Sequence, residues 1–280
     1  RNCDWSSDVC SSDLYLVFGD VHGNLAALQA VLDAAASRGF DACLFVGDLV
    51  GYGPEPLPCI ERLREWSLQG RLAWVAGNHD LAARVHEPIH GFIPEAAETL
   101  TWTRRQLAGC NHSREFLTAA PTAARVNDHI WLTHDSLVEP GSGTYQRDLR
   151  QATRELEMLR SLQGRVCFYG HTHVLRVDVM EHEHNVKRLH FATQTEPRED
   201  DAPLLLLPHQ TALVGVGSVG LPKNRGRLAE FLILDTEDDQ VWMLEKYAID
   251  YPRFQTRARM HENLLPDCSP AVVQQIARWL

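Results

Sequence analysis

Three short motifs near the start of the chain, GDVHGN, GDLVGYG and GNHD, combine carboxylates and histidines with glycines. Their residues that can bind a metal ion or transfer a proton are Asp20, His22, Asp48, Asn78, His79 and Asp80. A helix cap or a tight turn would explain any one fragment by itself. Further along the chain, His134 ends an apolar run, and GHTH contains His171 and His173.

Together these residue types favour a metal centre. Mixed imidazole and carboxylate ligands suit Mn, Fe, Zn, Co or Ni rather than Ca. A carboxylate shared by two such ligand sets would give a two-metal site with ions roughly 4 Å apart, which can hold the attacking and leaving oxygens of an in-line displacement. Next to it, His79 with Asp80 behind it would form an oriented proton donor.

The elements that must position these residues are strands followed by helices. The apolar runs YLVF, CLFV and LAWVA each end in one of the three motifs, and apolar residues at helical spacing follow the first two motifs. The spacing of about 30 residues is that of βαβ units, so we expect three parallel strands with their polar loops at one edge. Residues 95–117 and 147–162 have helical patterns, later runs alternate like antiparallel strands, and the chain from about residue 251 is again helical.

Composition limits the partners of this chain. Of its 280 residues, 27 are Lys or Arg and 37 are Asp or Glu, which gives a formal net charge of −10. This balance argues against broad binding to nucleic acids or to acidic membranes. Seven cysteines without a small-domain disulfide pattern indicate reduced thiols, and no apolar run is long enough to span a bilayer. We therefore expect a cytoplasmic protein, and the sequence leaves its oligomeric state unknown.

The first 14 residues, RNCDWSSDVCSSDL, lack helical and strand periodicity and contain Ser-Ser-Asp twice. They resemble translated sequencing-adapter sequence, and a disordered native tail is the alternative. We expect residues 1–14 to be such a non-native or disordered segment and residues 15–280 to form a single domain.

Taken in order, GDVHGN, GDLVGYG, GNHD, the single His134 and GHTH resemble the motifs of the calcineurin-like metallophosphoesterases, over about residues 15–251. The resemblance implies an α/β fold, the four-layer αββα sandwich of two mixed β-sheets. It further implies two divalent metal ions, with Mn favoured and Fe, Zn, Ni or Co as alternatives. One ion would be held by Asp20, His22, Asp48 and His173, and the second by Asp48, Asn78, His134 and His171.

The same resemblance implies a reaction. His79 would contact the phosphoryl group and protonate the leaving oxygen, Asp80 would orient its imidazole, and a metal-bound hydroxide would attack phosphorus. The expected activity is that of a phosphoesterase acting on phosphodiesters or small phosphomonoesters, with nucleotides as a candidate class. Alternatives are a Ser/Thr protein phosphatase, a dinucleoside polyphosphate hydrolase and a non-catalytic scaffold with this fold.

Several residues separate this chain from the protein phosphatase branch of that family. The branch has Asp-Arg-Gly in the second motif, where this chain has Gly51-Tyr52-Gly53. GNHD replaces GNHE, and Asp135 follows His134, as in the smaller bacterial and archaeal phosphodiesterase-like subgroup. Without the motif Arg, Lys223 or Arg225 in the late loop GSVGLPKNRG would supply positive charge for the substrate, unless this loop is an ordinary solvated turn.

Overall fold

The computed structural model describes residues 14–84, 89–182, 185–191, 202–237, 240–264 and 266–280. Its strands, in chain order, are β1 (Leu14–Phe18), β2 (Ala42–Phe45), β3 (Leu72–Trp74), β4 (Ala123–Arg125), β5 (Ile130–Thr133), β6 (Val166–Tyr169), β7 (Leu175–Met180), β8 (Val186–Leu189), β9 (Leu204–Leu206), β10 (Thr211–Val216), β11 (Ala229–Asp235) and β12 (Trp242–Ile249). Its helices are α1 (Leu25–Ala36), α2 (Pro56–Leu68), α3 (Asn78–Arg84), α4 (Pro94–Ala108), α5 (Asn111–Ala119), α6 (Leu149–Ser161), α7 (Arg253–Arg259), a π-helical turn (Met260–Leu264) and α8 (Pro270–Trp279).

The strands form two six-stranded sheets, with the orders β3-β2-β1-β11-β12-β9 and β4-β5-β6-β10-β7-β8. In the first sheet β1 pairs with β2 and β2 with β3, in both cases parallel, which confirms the three parallel strands expected from the motifs. In the second sheet β5 and β6 are likewise parallel. Both sheets are mixed, because antiparallel strands from the later part of the chain complete them.

Side chains that alternate along each strand place the two sheets face to face. In β1, Leu16 and Phe18 pack against α1 and α2, whereas Tyr15 and Val17 face the core between the sheets. Helix α6 covers the outer face of the second sheet. The order of layers is therefore helices, sheet, sheet, helix, which confirms the predicted αββα sandwich.

The structure differs from the sequence prediction at three places. The helical pattern over 95–117 forms two helices, α4 and α5, which are separated at Gly109 and Cys110. Strand β10 pairs antiparallel with β7 but parallel with β6, a register that hairpin spacing does not predict. Leu14, placed by sequence in the leading segment, is the first residue of β1 and pairs with Asp235. Residues 1–13 lie outside the described part of the chain.

The C-terminal helices pack beside the site end of the first sheet. In α8, Val273 and Ile276 are buried in a cluster that includes Trp102 of α4 and Leu221 of the β10–β11 loop. This packing brings Trp279, near the end of the chain, to the edge where the motif loops meet. None of the described helices is both long and apolar enough to cross a membrane.

Candidate metal centre

All seven predicted metal ligands lie together where β1, β2, β3, β5 and β6 end. Asp20 and His22 follow β1, Asp48 follows β2, and Asn78 begins α3 after β3. The remaining ligands come from the second sheet, where His134 follows β5 and His171 and His173 follow β6. Because the carboxyl ends of both sets of parallel strands meet at the same end of the sandwich, residues more than 150 positions apart in sequence become neighbours.

Most of the predicted metal ligands have a strained backbone conformation. A non-glycine residue in the left-handed region costs about 1–3 kcal/mol and is found mainly where the surroundings force it. Five of the seven ligands have such a φ, namely Asp20 (52°), His22 (50°), Asp48 (56°), His171 (62°) and His173 (55°). Hydrogen bonds between loops hold this geometry, since the Asp20 and His22 N–H groups donate to the Gly47 and Asp48 carbonyls.

Asp20, His22 and His173 form a first group of predicted ligands, in which two histidine lone pairs point at each other. His22 Nδ1–H donates to the Val50 carbonyl at 3.3 Å, and His173 Nδ1–H donates to the Leu221 carbonyl at 2.8 Å. Since a carbonyl oxygen only accepts, both hydrogens must lie on Nδ1, and each neutral ring keeps a lone pair on Nε2. These Nε2 atoms are 3.1 Å apart, and Asp20 Oδ1 is 3.3 Å from that of His173.

This arrangement suits a cation rather than an empty polar core. Two facing lone pairs beside a carboxylate repel one another unless a positive charge lies among them. Asp20 Oδ2 is also buried without a hydrogen-bond partner among the described residues. Burial lowers the pKa of His22 well below its usual value, so its imidazole is neutral and able to bind a metal ion.

Asp48 lies between the first group and a second group. Its Oδ2 atom is 3.6 Å from His22 Nε2 and 3.2 Å from His134 Nε2, while Oδ1 accepts a hydrogen bond from the His79 N–H at 2.9 Å. Asn78 Oδ1 lies 3.2 Å from the same His134 nitrogen. One carboxylate oxygen is therefore within reach of both ligand groups.

Backbone carbonyl oxygens also orient the histidines of the second group. His134 Nδ1–H donates to the Val46 carbonyl at 2.7 Å, which leaves Nε2 directed at Asp48. His171 is reversed, because its Nε2–H donates to the Gly143 carbonyl at 3.1 Å and Nδ1 remains for a ligand role. Donor atoms of Asp48, His134 and His171 all lie within 4.8 Å of one another.

Electrostatics support a cation between Asp48 and His134. Burial alone would lower the pKa of His134, but the Asp48 carboxylate and its hydrogen bond raise it to about 10. Burial alone would raise the pKa of Asp48, but the nearby histidines hold this pKa well below its usual value. His134 therefore keeps a proton that neutralises the charge of the Asp48 carboxylate. A bound metal ion would supply that positive charge instead, so these residues fit a metal-binding role.

A family model for the calcineurin-like phosphoesterase superfamily domain matches residues 14–239. The chain belongs to the calcineurin-like phosphoesterase superfamily. The match begins at the first residue of β1 and includes every predicted metal ligand. It confirms the family expected from the ordered motifs.

Comparisons with individual proteins agree with this assignment. An uncharacterized protein of Methanocaldococcus jannaschii is 26% identical over 259 residues, which cover 90% of this chain and 93% of that protein. A metallophosphoesterase from Sphaerobacter thermophilus has a crystal structure that matches with a TM-score of 0.72 and 25% identity, covering 96% of this chain and 100% of that one. A symmetrical bis(5'-nucleosyl)-tetraphosphatase of Psychromonas ingrahamii is 36% identical over 103 residues, or 32% of this chain and 37% of that protein.

In this calcineurin-like phosphoesterase, His79 is buried at the floor of the cleft. Its ring lies 4.8 Å from that of His22 and 4.7 Å from that of Tyr52, measured between centroids. A Cβ atom on Gly51 would approach His79 Nδ1 to 2.2 Å, so the imidazole fits only because residue 51 is glycine. Burial lowers the pKa of His79 to about 4, and the imidazole is neutral in the free protein at neutral pH.

The structure corrects the predicted role of Asp80. Its Oδ1 atom accepts hydrogen bonds from the Leu49 and Val50 N–H groups, and Oδ2 accepts one from Gly77. His79 Nδ1 has no hydrogen-bond partner among the described residues, so Asp80 does not orient this imidazole. Instead, Asp80 joins the loops after β2 and β3, which positions Asp48 and Asn78 relative to each other.

A cleft of about 520 Å³ opens above the metal ligands, and sequence reasoning did not find most of its walls. Tyr145 stacks on His171 with ring centroids 4.0 Å apart, and Tyr52 meets Trp279 edge to face at 5.7 Å. Tyr52 and Tyr145 occur in glycine-rich segments of the sequence, but their residue type alone does not mark them as functional. No motif in the sequence marks Trp279 as part of the cleft, because only the packing of α8 brings it there.

Two buried carboxylates hold the loop that carries Tyr145. Asp135 accepts hydrogen bonds from the N–H groups of Ser136, Gly141 and Gly143. Glu155, from α6, accepts four more, from Ser136 Oγ, the Leu137 and Val138 N–H groups and Gln146 Nε2. These bonds fix the Gly143 carbonyl that accepts from His171, so Asp135 and Glu155 position a predicted metal ligand.

Of the two cationic residues predicted to face the substrate, Lys223 lines the cleft and Arg225 does not. Lys223 lines the cleft and donates from Nζ to the Thr172 carbonyl at 2.9 Å, and desolvation lowers its pKa. Arg225 is exposed and does not line the cleft, whereas Arg227 does. Lys223 and Arg227 are therefore the cationic residues of this loop that line the cleft, and Arg225 is not.

Proposed function

We propose that this phosphoesterase is a dinuclear metal-dependent hydrolase of phosphodiesters or small phosphomonoesters. The observation that carries the proposal is the position of Asp48 Oδ2, within 3.6 Å of His22 Nε2 and 3.2 Å of His134 Nε2. A single carboxylate oxygen between two imidazole groups is the arrangement a bridging ligand requires. The non-catalytic scaffold alternative is disfavoured because all seven ligand positions are filled by residues that bind metals.

Under this proposal one ion is held by Asp20, His22, Asp48 and His173, and the other by Asp48, Asn78, His134 and His171. Mn²⁺ suits this mixture of carboxylate, amide and imidazole donors, with Fe, Zn, Ni or Co as alternatives. Two bound divalent ions would supply Lewis acidity that activates water and neutralises phosphoryl charge. The carbonyls of Val46, Val50 and Leu221 keep the histidine lone pairs directed at the ions.

His79 acts as the proton donor to the leaving oxygen in this proposal. The imidazole is neutral in the free protein because burial lowers its pKa to about 4. A bound phosphate ester brings negative charge to the ring, which raises the pKa and allows the imidazole to take up the proton that it then donates. The Tyr52 ring packs against the His79 ring, and the absence of a side chain at Gly51 leaves room for it.

The walls of the cleft support a substrate that combines phosphate with a planar group. Tyr52, Tyr145 and Trp279 offer aromatic surfaces, and Lys223 and Arg227 offer positive charge. Aromatic rings beside a cationic phosphate site favour nucleotides over alkyl phosphates. The partly matching relative named as a bis(5'-nucleosyl)-tetraphosphatase supports a dinucleoside polyphosphate as a second candidate substrate. Gly51-Tyr52-Gly53 in place of Asp-Arg-Gly disfavours the protein phosphatase alternative.

A substrate panel tests the proposal. Protein freed of metal by chelation and reloaded with Mn²⁺ is assayed with bis(p-nitrophenyl) phosphate, p-nitrophenyl phosphate, a dinucleoside polyphosphate and a phosphopeptide. We expect Mn²⁺-dependent hydrolysis of the diester or the nucleotide, strong loss in an Asp48→Asn variant, and little action on the phosphopeptide. Absence of hydrolysis across the panel with each of the five candidate metals would overturn the proposal and favour a scaffold.

The cysteines support a cytoplasmic location as part of the same proposal. All five cysteines within the described residues are free thiols, and Cys43, Cys59, Cys167 and Cys268 are buried. Free thiols persist in reducing compartments. Localisation of a tagged full-length chain by cell fractionation tests this point.

A further inference from the structure

A second cluster of side chains that could bind a metal ion lies between α2 and the beginning of α5, and it shares no residue with the candidate metal centre. Glu61 comes from α2, and Cys110 and His112 lie at the beginning of α5. Cys110 Sγ is 3.3 Å from His112 Nε2, which is 2.7 Å from Glu61 Oε1. Donor atoms of all three side chains lie within 4.8 Å of one another.

These donors are a thiol, an imidazole and a carboxylate, the three types that zinc binds in proteins. With Zn–S of about 2.3 Å and Zn–N of about 2.0–2.1 Å, tetrahedral sites place sulfur and nitrogen roughly 3.5 Å apart. The observed separation of 3.3 Å matches that geometry. The contact of 2.7 Å between His112 Nε2 and Glu61 Oε1 is that of a hydrogen bond, so an ion bound here would require these two partly exposed side chains to move apart.

We propose that Glu61, Cys110 and His112 form a site for one borderline-soft divalent cation, Zn²⁺ or Co²⁺, with water as a fourth ligand. The site is distinct in chemistry from the metal centre, whose seven proposed ligands contain no sulfur. This proposal does not depend on the proposed hydrolase activity.

Surrounding residues hold the three donors in place. Ser113 Oγ, which is fully buried, donates to Glu61 Oε1 at 3.1 Å and also lies 3.1 Å from Cys110 Sγ. Arg64 donates to the other carboxylate oxygen of Glu61 at 3.2 Å. Cys110 is the residue immediately before α5, so its position is set by the start of that helix.

A cation here would join α2 to α5 and thereby support the catalytic region. The C-terminal end of α5 is bound by Arg84 of α3, whose Nη1 donates to the carbonyls of Leu117, Thr118 and Ala120. Helix α3 begins with Asn78 and His79. The proposed role is therefore structural, since the ion stabilises the helix that packs behind two residues of the metal centre.

Cobalt titration of the full chain tests the site. A thiolate bound to Co²⁺ gives a sulfur-to-cobalt charge-transfer absorption, and the metal centre cannot produce it because its proposed ligands are oxygen and nitrogen. We expect this absorption to saturate with about one equivalent of Co²⁺ bound through sulfur. Cys110→Ser should abolish it, and the matched control Cys268→Ser should retain it.

Two further measurements keep the test decisive if Cys110→Ser folds poorly. His112→Ala, at a half-exposed position, should weaken the absorption at the same Co²⁺ concentration while leaving the fold intact. In the unaltered chain, Zn²⁺ should slow the reaction of one thiol with a thiol reagent, and His112→Ala should not show this protection. Absence of the absorption in the unaltered chain, or its persistence in Cys110→Ser, would overturn the proposal.

Discussion

The floor and the walls of the cleft are built in different ways. The floor consists of the seven proposed metal ligands, which are mostly buried. Five of them have left-handed backbone conformations, and backbone carbonyl oxygens orient the histidine rings. The walls include aromatic and cationic side chains that come from separate loops and from α8, and Tyr145 among them is exposed. Under the proposed function, the floor would determine the chemistry, whereas the walls would determine which ester is bound.

The largest effect is expected for Asp48→Asn, because this change removes the charge and one of the two oxygens of the proposed bridging ligand. Losing several kcal/mol of charge stabilisation corresponds to a fall in kcat of about 10³-fold. Metal analysis should show fewer bound ions, and steady-state kinetics should show the loss. Full metal content together with an unchanged rate would remove Asp48 from the bridging role.

His79→Ala should lower kcat by about 10²-fold, the usual contribution of a general acid, while the metal content stays the same. The His79 backbone N–H donates to Asp48 Oδ1 and survives the substitution, and the His79 ring is not among the seven proposed ligands. The control is His261→Ala, at an exposed position on the π-helical turn. If kcat survives, the proton donor lies elsewhere.

Glu155→Gln tests whether the floor depends on support from α6. The substitution keeps the size of the side chain but replaces one acceptor oxygen with a donor, so it cannot satisfy all four groups that now donate to Glu155. We expect a 10- to 100-fold weaker metal affinity, about the effect of losing an outer hydrogen-bond partner, with much of kcat recovered at saturating Mn²⁺. Glu157→Gln, exposed on the same helix, is the matched control and should leave metal affinity unchanged.

The smallest effect is expected at the walls. Trp279→Ala removes an aromatic surface worth about 0.5–1.5 kcal/mol, so KM for an aryl or nucleotide ester should rise roughly 2- to 10-fold with kcat almost unchanged. KM for a small alkyl phosphate should not change, and Phe254→Ala, 72% exposed on α7, should leave both substrates unaffected. An equal change in KM for both esters would mean that Trp279 does not select planar substrates.

The sequence by itself determined the fold and the floor. Apolar runs that each end in Asp, Asn or His predict ligands at the carboxyl ends of parallel strands, and these ends must share an edge. Asp20, Asp48 and Asn78 could therefore be placed together before their side chains were seen. The roles of neighbouring residues were less secure, because GNHD does not reveal whether Asp80 turns towards His79 or towards the backbone of Leu49 and Val50.

Only the tertiary structure decided the walls and the supports of the site. Tyr145 reaches His171 because Asp135 and Glu155 fold its loop, and Trp279 reaches Tyr52 because α8 packs against α4. Lys223 and Arg227 face the cleft while Arg225 faces solvent, a difference set by the backbone path of one loop. Periodicity encodes contacts within strands and helices, whereas these contacts depend on how distant elements pack, and no local pattern records that packing.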